Sequence, residues 1–274
     1  MEKNVQLKIE TILKEPILFI EDTNKGLTNK NYHVQTEHYD VIVRIPHQDS
    51  SNIVYRDHEA LALECIKSTQ LDVNTIHYNP EDGIKITKYV PDLLTFKEYK
   101  GKDRIHRTAQ LMKRLHSLNQ CIGYEFNPIE RYLKYRKNVK QPMIEDTLSN
   151  SIIESLKSIQ RAHTLCHNDW VAGNICFSQT KDYLIDYEYA GDNDPFFDVM
   201  SFITENELTY QEKEEFILSY FGRTPTSEEQ VLLKTYEQFH NLLWCTWACM
   251  MYESRNEDVY REIALDKYNA LKKL

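Results

Sequence analysis

The sequence predicts an α+β fold in two lobes: an antiparallel sheet in residues 1–91 and mainly helices in residues 92–274. Three observations carry that expectation. Up to residue 90, short apolar runs rich in Val, Ile and Tyr recur between polar turns, which is the pattern of strands. Pro91-Asp92 breaks the pattern. Beyond it the period lengthens, and Ile105, Ala109, Leu111, Met112, Leu115 and Leu118 fall on one face of a helix. A chain of 274 residues fits two lobes or one large domain.

Taken in order, Val5, Leu7, Ile9, Ile12 and Leu13 mark an opening helix over 5–13, ended by Pro16. Ile17-Leu18-Phe19-Ile20 reads as a buried strand. Residues 24–34 are a polar turn with one glycine between two strands; Gly26 permits positive φ, and Thr28, Asn29 and Asn31 offer hydrogen bonds. Residues 39–46 form the next strand, with Arg44 inside a run of branched apolar residues. A cation there is costly to bury unless paired. It either snorkels at a strand edge or meets a carboxylate of the helix at 56–66, and distance along that helix favours Glu59 over Glu64. Residues 74–78 and 83–90 make a hairpin about Asn79-Pro80-Glu81-Asp82-Gly83. Two further helices are expected near 128–140 and 147–161. Thr226-Ser227-Glu228-Glu229 is a capping-box start for a long helix. It carries Trp244 and Trp247 three apart on one face. At that spacing they are either core or, with tyrosines, the walls of a cage for a quaternary ammonium.

Between the helical segments stands Cys166-His167-Asn168-Asp169-Trp170-Val171-Ala172-Gly173-Asn174, followed by Tyr183-Leu184-Ile185-Asp186-Tyr187-Glu188-Tyr189. The form is H-x-D-x-x-x-x-N, a short gap, then an apolar run closed by Asp. Phosphoryl transfer needs a carboxylate beside the attacking hydroxyl, and an Asn and an Asp to hold Mg²⁺ on nucleotide phosphates. Asp169 fits the first role, Asn174 and Asp186 the second. H-x-D alone would be an ordinary turn; four polar residues at this spacing, with a strand before the last, are far more specific. In such an enzyme the turn at 24–34 would cover the phosphates, although G-x-G-x-x-G is absent and a plain hairpin is equally compatible. Arg44, held by Glu59, would meet the α/β-phosphates. The adenine edge would bond to backbone near Lys88 and Val90. Asp198 reads as a brace for the catalytic loop.

Composition narrows the classes. The chain is 41% hydrophobic and 27% charged, with formal net charge -9, so there is no excess of cations for a nucleic-acid partner. The six cysteines form no C-x-x-C and are expected as reduced thiols in a cytoplasmic protein. The ten histidines show no zinc spacing. No apolar run is long enough to span a membrane, and the first residues carry no signal-peptide apolar region.

Together these residues resemble the choline/ethanolamine kinases, within the superfamily that includes aminoglycoside phosphotransferases and protein kinases. The resemblance runs through Gly26-Leu27-Thr28-Asn29-Lys30-Asn31-Tyr32, Val43-Arg44-Ile45, the 167–174 loop, Asp186-Tyr187-Glu188-Tyr189, Phe197-Asp198 with Glu205, and Trp244-Cys245-Thr246-Trp247. It departs at Lys25, where relatives often have a second glycine. The resemblance implies a two-lobed protein-kinase-like fold, ATP and Mg²⁺ as cofactors, and a small amino-alcohol substrate. It implies Asp169 as base, Asn174 and Asp186 as metal ligands, and Arg44 as the phosphate-binding cation. Tyr189, Glu205, Tyr210, Trp244, Trp247 and Tyr260 would form the ammonium pocket. Choline is the expected substrate. Ethanolamine, thiamine or an aminoglycoside is the alternative; the last would want many acidic groups, and Glu207, Glu212, Glu214 and Glu215 are compatible with it. A non-catalytic binding module is the reading from another class.

Overall fold

The computed structural model describes residues 1–23, 29–46 and 55–274. Helix α1 (Lys3–Leu13) precedes β1 (Phe19–Asp22), β2 (Asn29–Gln35) and β3 (Asp40–Pro46). Helix α2 (Arg56–Ile66), β4 (Thr75–Tyr78) and β5 (Lys85–Lys88) follow. The strands form one sheet in the order β1-β2-β3-β5-β4, antiparallel throughout. Alternation along β2 and β3 puts Tyr32, Val34, Val41 and Val43 on one face. There they pack with Ile84 and Ile86 and with Ile9 and Leu13 of α1. The β4–β5 turn uses Gly83 at φ +73, and a side chain there would run into Pro46 and Arg56.

One expectation fails here. The run at 17–20 does not make a buried strand beyond its first residue: Ile17 packs partly buried against the sheet core, but Leu18 is 70% exposed and all four residues of β1 are exposed. The strand sits at the sheet edge and pairs only with β2, so its apolar side chains find no second layer.

The remainder is mainly helical. It comprises β6 (Leu94–Thr95), α3 (Arg104–His116), α4 (Pro128–Lys137), α5 (Asp146–Lys157), β7 (Thr164–Cys166), β8 (Ile175–Phe177) and β9 (Asp182–Leu184). A 3-10 turn (Tyr187–Tyr189) leads to β10 (Gly191–Asn193), α6 (Pro195–Glu205), α7 (Tyr210–Phe221), α8 (Ser227–Arg255) and α9 (Asp258–Lys272). Two small antiparallel sheets, β6-β8-β9 and β7-β10, carry the loops of the H-x-D region. The predicted face of α3 is buried from Ile105 to Leu115. Helix α8 starts as expected: Thr226 accepts from Glu229 N, and the Glu229 side chain accepts in return from Thr226 N. Ala62 and Ile66 of α2 pack into the large helical core rather than under the sheet, so α2 ties the two layers together. No helix among the described residues is long and apolar enough to cross a membrane. All six cysteines are free.

Candidate active site

The loop after β7 is held from below. Asp198, fully buried on α6, accepts from His167 N at 2.9 Å and from Asn168 N at 2.7 Å. His116 Nε2 donates to the same carboxylate at 3.1 Å. Burial alone would raise the Asp198 pKa, but His116 and the other donors outweigh it and hold the carboxyl below its usual range. Asn168 adopts φ +65, and its side chain donates to Tyr189 O and accepts from Asn193. His167 Nε2 donates to Ile185 O at 2.9 Å. These bonds join the loop to the end of β9 and fix where Asp169 stands. Asp198 is thus a brace, as its position in the sequence predicted.

Asp169, Asn174 and Asp186 come together at this point. Asn174 Nδ2 donates to Asp169 O at 3.0 Å and to Asp169 Oδ2 at 2.9 Å. Its amide nitrogen is thereby committed, and its Oδ1 is the atom left to act as a ligand. Asp186 follows β9 at φ +67. Burial, then the charges of Asp186 and Glu205, push the Asp169 carboxyl up to about 7.

Arg44 reaches the same place from the sheet. Its Nη1 donates to Asp186 Oδ1 at 2.5 Å and its Nη2 to Glu59 Oε2 at 2.7 Å. Glu59 is 1% exposed and also accepts from Tyr78 Oη at 2.9 Å. Burial works against the guanidinium's charge, but Glu59 and Asp186 outweigh it, so Arg44 stays firmly protonated. Arg44 thus meets Glu59 and not Glu64, which lies on the exposed side and pairs with Lys67.

Of the other nucleotide-site expectations, Gly26 and Thr28 lie outside the described residues. Asn29 is buried and donates from Nδ2 to Glu188 Oε2 at 3.0 Å. Asn31 pairs with Arg44 across β2–β3. Lys88 ends β5 with an exposed side chain, and Val90 follows in the linker. Glu188 had been given no role by sequence reasoning. It is buried, and burial and then the nearby Asp186 charge raise its pKa. Its position two residues after Asp186 was the available signal.

Starting from Tyr189, which feels the Asp169 charge, the aromatic residues form a chain of edge-to-face contacts. Tyr189 meets Trp244 at 6.0 Å between ring centroids, Trp244 meets Trp247 at 5.9 Å, and Trp247 meets Tyr260 at 5.6 Å. Glu205 ends α6, and its charge is felt at Asp169. Tyr210 does not join them: it stands 73% exposed in the first turn of α7, with no ring contact to them among the described residues. The turn after Glu205 starts a new helix at Tyr210 and leaves its side chain at the surface. Two neighbours were missed, His240 and Lys267. The first accepts from Trp244 Nε1 at 3.2 Å, and the second donates to Glu205 Oε1 at 2.7 Å.

The oxygen donors Asn174 Oδ1 and Asp186 suit a hard cation such as Mg²⁺, which takes one or two protein ligands and completes its shell with phosphate and water.

The antiparallel sheet, the helical body and the braced Asp169 loop between them define a phosphotransferase of protein-kinase-like fold. Residues 20–239 match the family model for choline/ethanolamine kinase, and the chain belongs to that family. It is 24% identical over 266 residues to protein LicA of Haemophilus influenzae, covering 91% of this chain and 78% of that protein. The crystal structure of choline kinase LicA from Streptococcus pneumoniae superposes with TM-score 0.84 at 26% identity, covering 100% of this chain and 99% of that one. A crystal structure of LicA in complex with AMP superposes with TM-score 0.83 at 26% identity, covering 100% and 98%.

Proposed function

We propose that the protein transfers the γ-phosphate of ATP to the hydroxyl of choline, giving phosphocholine and ADP. The observation that carries the choice of substrate is the unbroken ring chain Tyr189–Trp244–Trp247–Tyr260, whose last helix also brings Lys267 to Glu205. A trimethylammonium has no N–H to donate, so ring faces and a nearby negative charge are what can hold it. The similarity to a choline kinase and to an AMP complex supports the same reading.

Asn174 and Asp186 would hold Mg²⁺, whose chemistry is to neutralise phosphate charge as the leaving oxygen departs. Arg44, kept charged by Glu59, faces the same phosphates. The substrate hydroxyl donates to Asp169, which orients the oxygen for in-line attack. As the O–P bond forms and the bond to ADP breaks, Asp169 takes the proton. Positioning supplies most of the acceleration, with no covalent enzyme intermediate. The reaction is proposed to take place in the cleft between lobes 1–91 and 92–274, in the cytoplasm, where free thiols persist.

Asp169 works as a base only when ionised, so kcat/KM should fall as pH drops through its pKa. That value is about 7 in the metal-free site, and Mg²⁺ beside Asp186 would move it toward the ordinary aspartate value of about 4. Because the Glu205 charge raises it, Glu205→Gln should shift the acidic limb to lower pH. Profiles of kcat/KM against pH for the two proteins check this, and an unshifted limb would detach Glu205 from the site.

Trp244→Ala and Trp247→Ala should each raise KM for choline about 10- to 30-fold, the loss of one desolvated cation–π contact, with a smaller change in kcat. Steady-state kinetics on both variants, with an ADP-release assay against choline, ethanolamine, thiamine and kanamycin, tests the substrate reading. Unchanged KM in both would place the substrate elsewhere. An aminoglycoside fits less well, because Glu212 is tied up with Thr209 and Arg104 while Glu207, Glu214 and Glu215 point to solvent.

A further inference from the structure

We propose that Lys267 is a specificity-determining residue: by occupying one oxygen of the Glu205 carboxylate, it leaves the site short of hydrogen-bond acceptors and so favours a quaternary ammonium over a primary one. This rests on the amino-alcohol kinase reading above and deepens it.

Lys267 and Tyr260 lie seven apart on α9, two turns along one face, and both are buried. Tyr260 meets Trp247 in the ring chain. Lys267 Nζ donates to Thr204 O and to Glu205 Oε1, both at 2.7 Å. Thr204 Oγ1 adds a longer bond to the same Oε1 at 3.3 Å. Oε1 of Glu205 is therefore occupied, which leaves Oε2 as the carboxylate's open acceptor, and a cation stands against the carboxylate before any substrate arrives.

The rings do not replace the lost acceptor. Trp244 Nε1 donates to His240 Nδ1, and His240 Nε2 in turn donates to Phe197 O at 2.8 Å. This pairing fixes a neutral imidazole; burial pushes its pKa down to about 3, and the Lys267 charge adds to that. Indole N–H groups can only donate, and Tyr260 Oη already accepts from Arg255 Nη1 at 2.7 Å. A primary ammonium brings three N–H donors and would leave some unpaired, a substantial loss in a desolvated pocket. A trimethylammonium brings none and loses nothing.

The test is the ratio of kcat/KM for choline to that for ethanolamine in the wild type, Lys267→Met and Lys267→Arg. Lys267→Met keeps the stem and removes the charge, opening Glu205 Oε1. The ratio should fall about tenfold, with ethanolamine gaining more than choline. Lys267→Arg keeps charge and donors and should restore the wild-type ratio, which a merely structural role would not predict. A ratio within about twofold of wild type in folded Lys267→Met overturns the proposal. If Lys267→Met does not fold, Lys267→Gln is read the same way. The wild type gives an independent reading: tetramethylammonium should inhibit at lower concentration than methylammonium, and the reverse order also overturns the proposal. The two levels separate cleanly. No turnover of either alcohol by the wild type defeats the kinase reading, whereas turnover of choline with an unmoved ratio defeats only the role of Lys267.

Discussion

Asp169→Ala is expected to lower kcat by about 10²- to 10⁴-fold and to leave choline affinity within about threefold of wild type. The asymmetry follows from position. Asp169 is bonded to Asn174 and feels the charges of Asp186 and Glu205, and in the proposed complex it would touch the substrate hydroxyl but not the ammonium. Its removal takes away the orienting acceptor and the proton sink while the cage stays intact. The brace should survive, because Asp198 binds the loop through backbone N–H groups of His167 and Asn168. Steady-state kinetics and calorimetric titration with choline separate the two effects. Near-wild-type turnover would remove Asp169 from the chemistry.

Arg44→Ala is the second large effect, and it acts on stability as well as rate. Arg44 is 8% exposed and Glu59 1%. Deleting one partner of such a pair leaves a buried charge uncompensated, at about 3–5 kcal/mol, which lowers Tm by about 10 °C in a domain of this size. Asp186 loses its fixed partner at the same time, so KM for ATP should rise and kcat should fall. The double variant Arg44→Met/Glu59→Leu separates the two consequences. It removes both charges and should recover most of the melting temperature without recovering activity, because an apolar pair tolerates burial but cannot meet a phosphate. Thermal melts and ATP kinetics on both proteins check this. A double variant as unstable as Arg44→Ala would mean that the pair holds the fold by something other than charge compensation.

The parts of the site that were legible in the sequence are those built locally. Asp169 and Asn174 sit on one loop, and their spacing is the geometry; Asp186 closes a strand that hydrogen bonding to Ile175–Phe177 holds beside them. Arg44 and Glu59 were legible because a buried cation needs a partner and Glu59 lies at the right distance along the helix; the structure adds that Glu59 is on the buried face of α2 while Glu64 faces solvent. The long helix was legible from its capping box. What could not be read depends on contacts made far along the chain. Lys267 meets Glu205 across 62 residues, and no local pattern marks it. His240 precedes Trp244 by one helical turn, but a histidine there is as easily core. Glu188 looked like part of a tyrosine-rich motif until Asn29, 159 residues away, was seen to bind it. The edge strand has the same origin, since Leu18–Ile20 reads as buried from apolarity alone. Whether an apolar strand lies at an edge is a property of the sheet order, not of the strand.

The most direct test of the account is to incubate the purified protein with Mg-ATP and choline and follow the ³¹P spectrum. ADP and phosphocholine signals should grow together in equal amounts, neither should grow without choline, and Asp169→Ala should show neither. Growth of ADP alone, or phosphocholine formed as fast by Asp169→Ala as by the wild type, would contradict it.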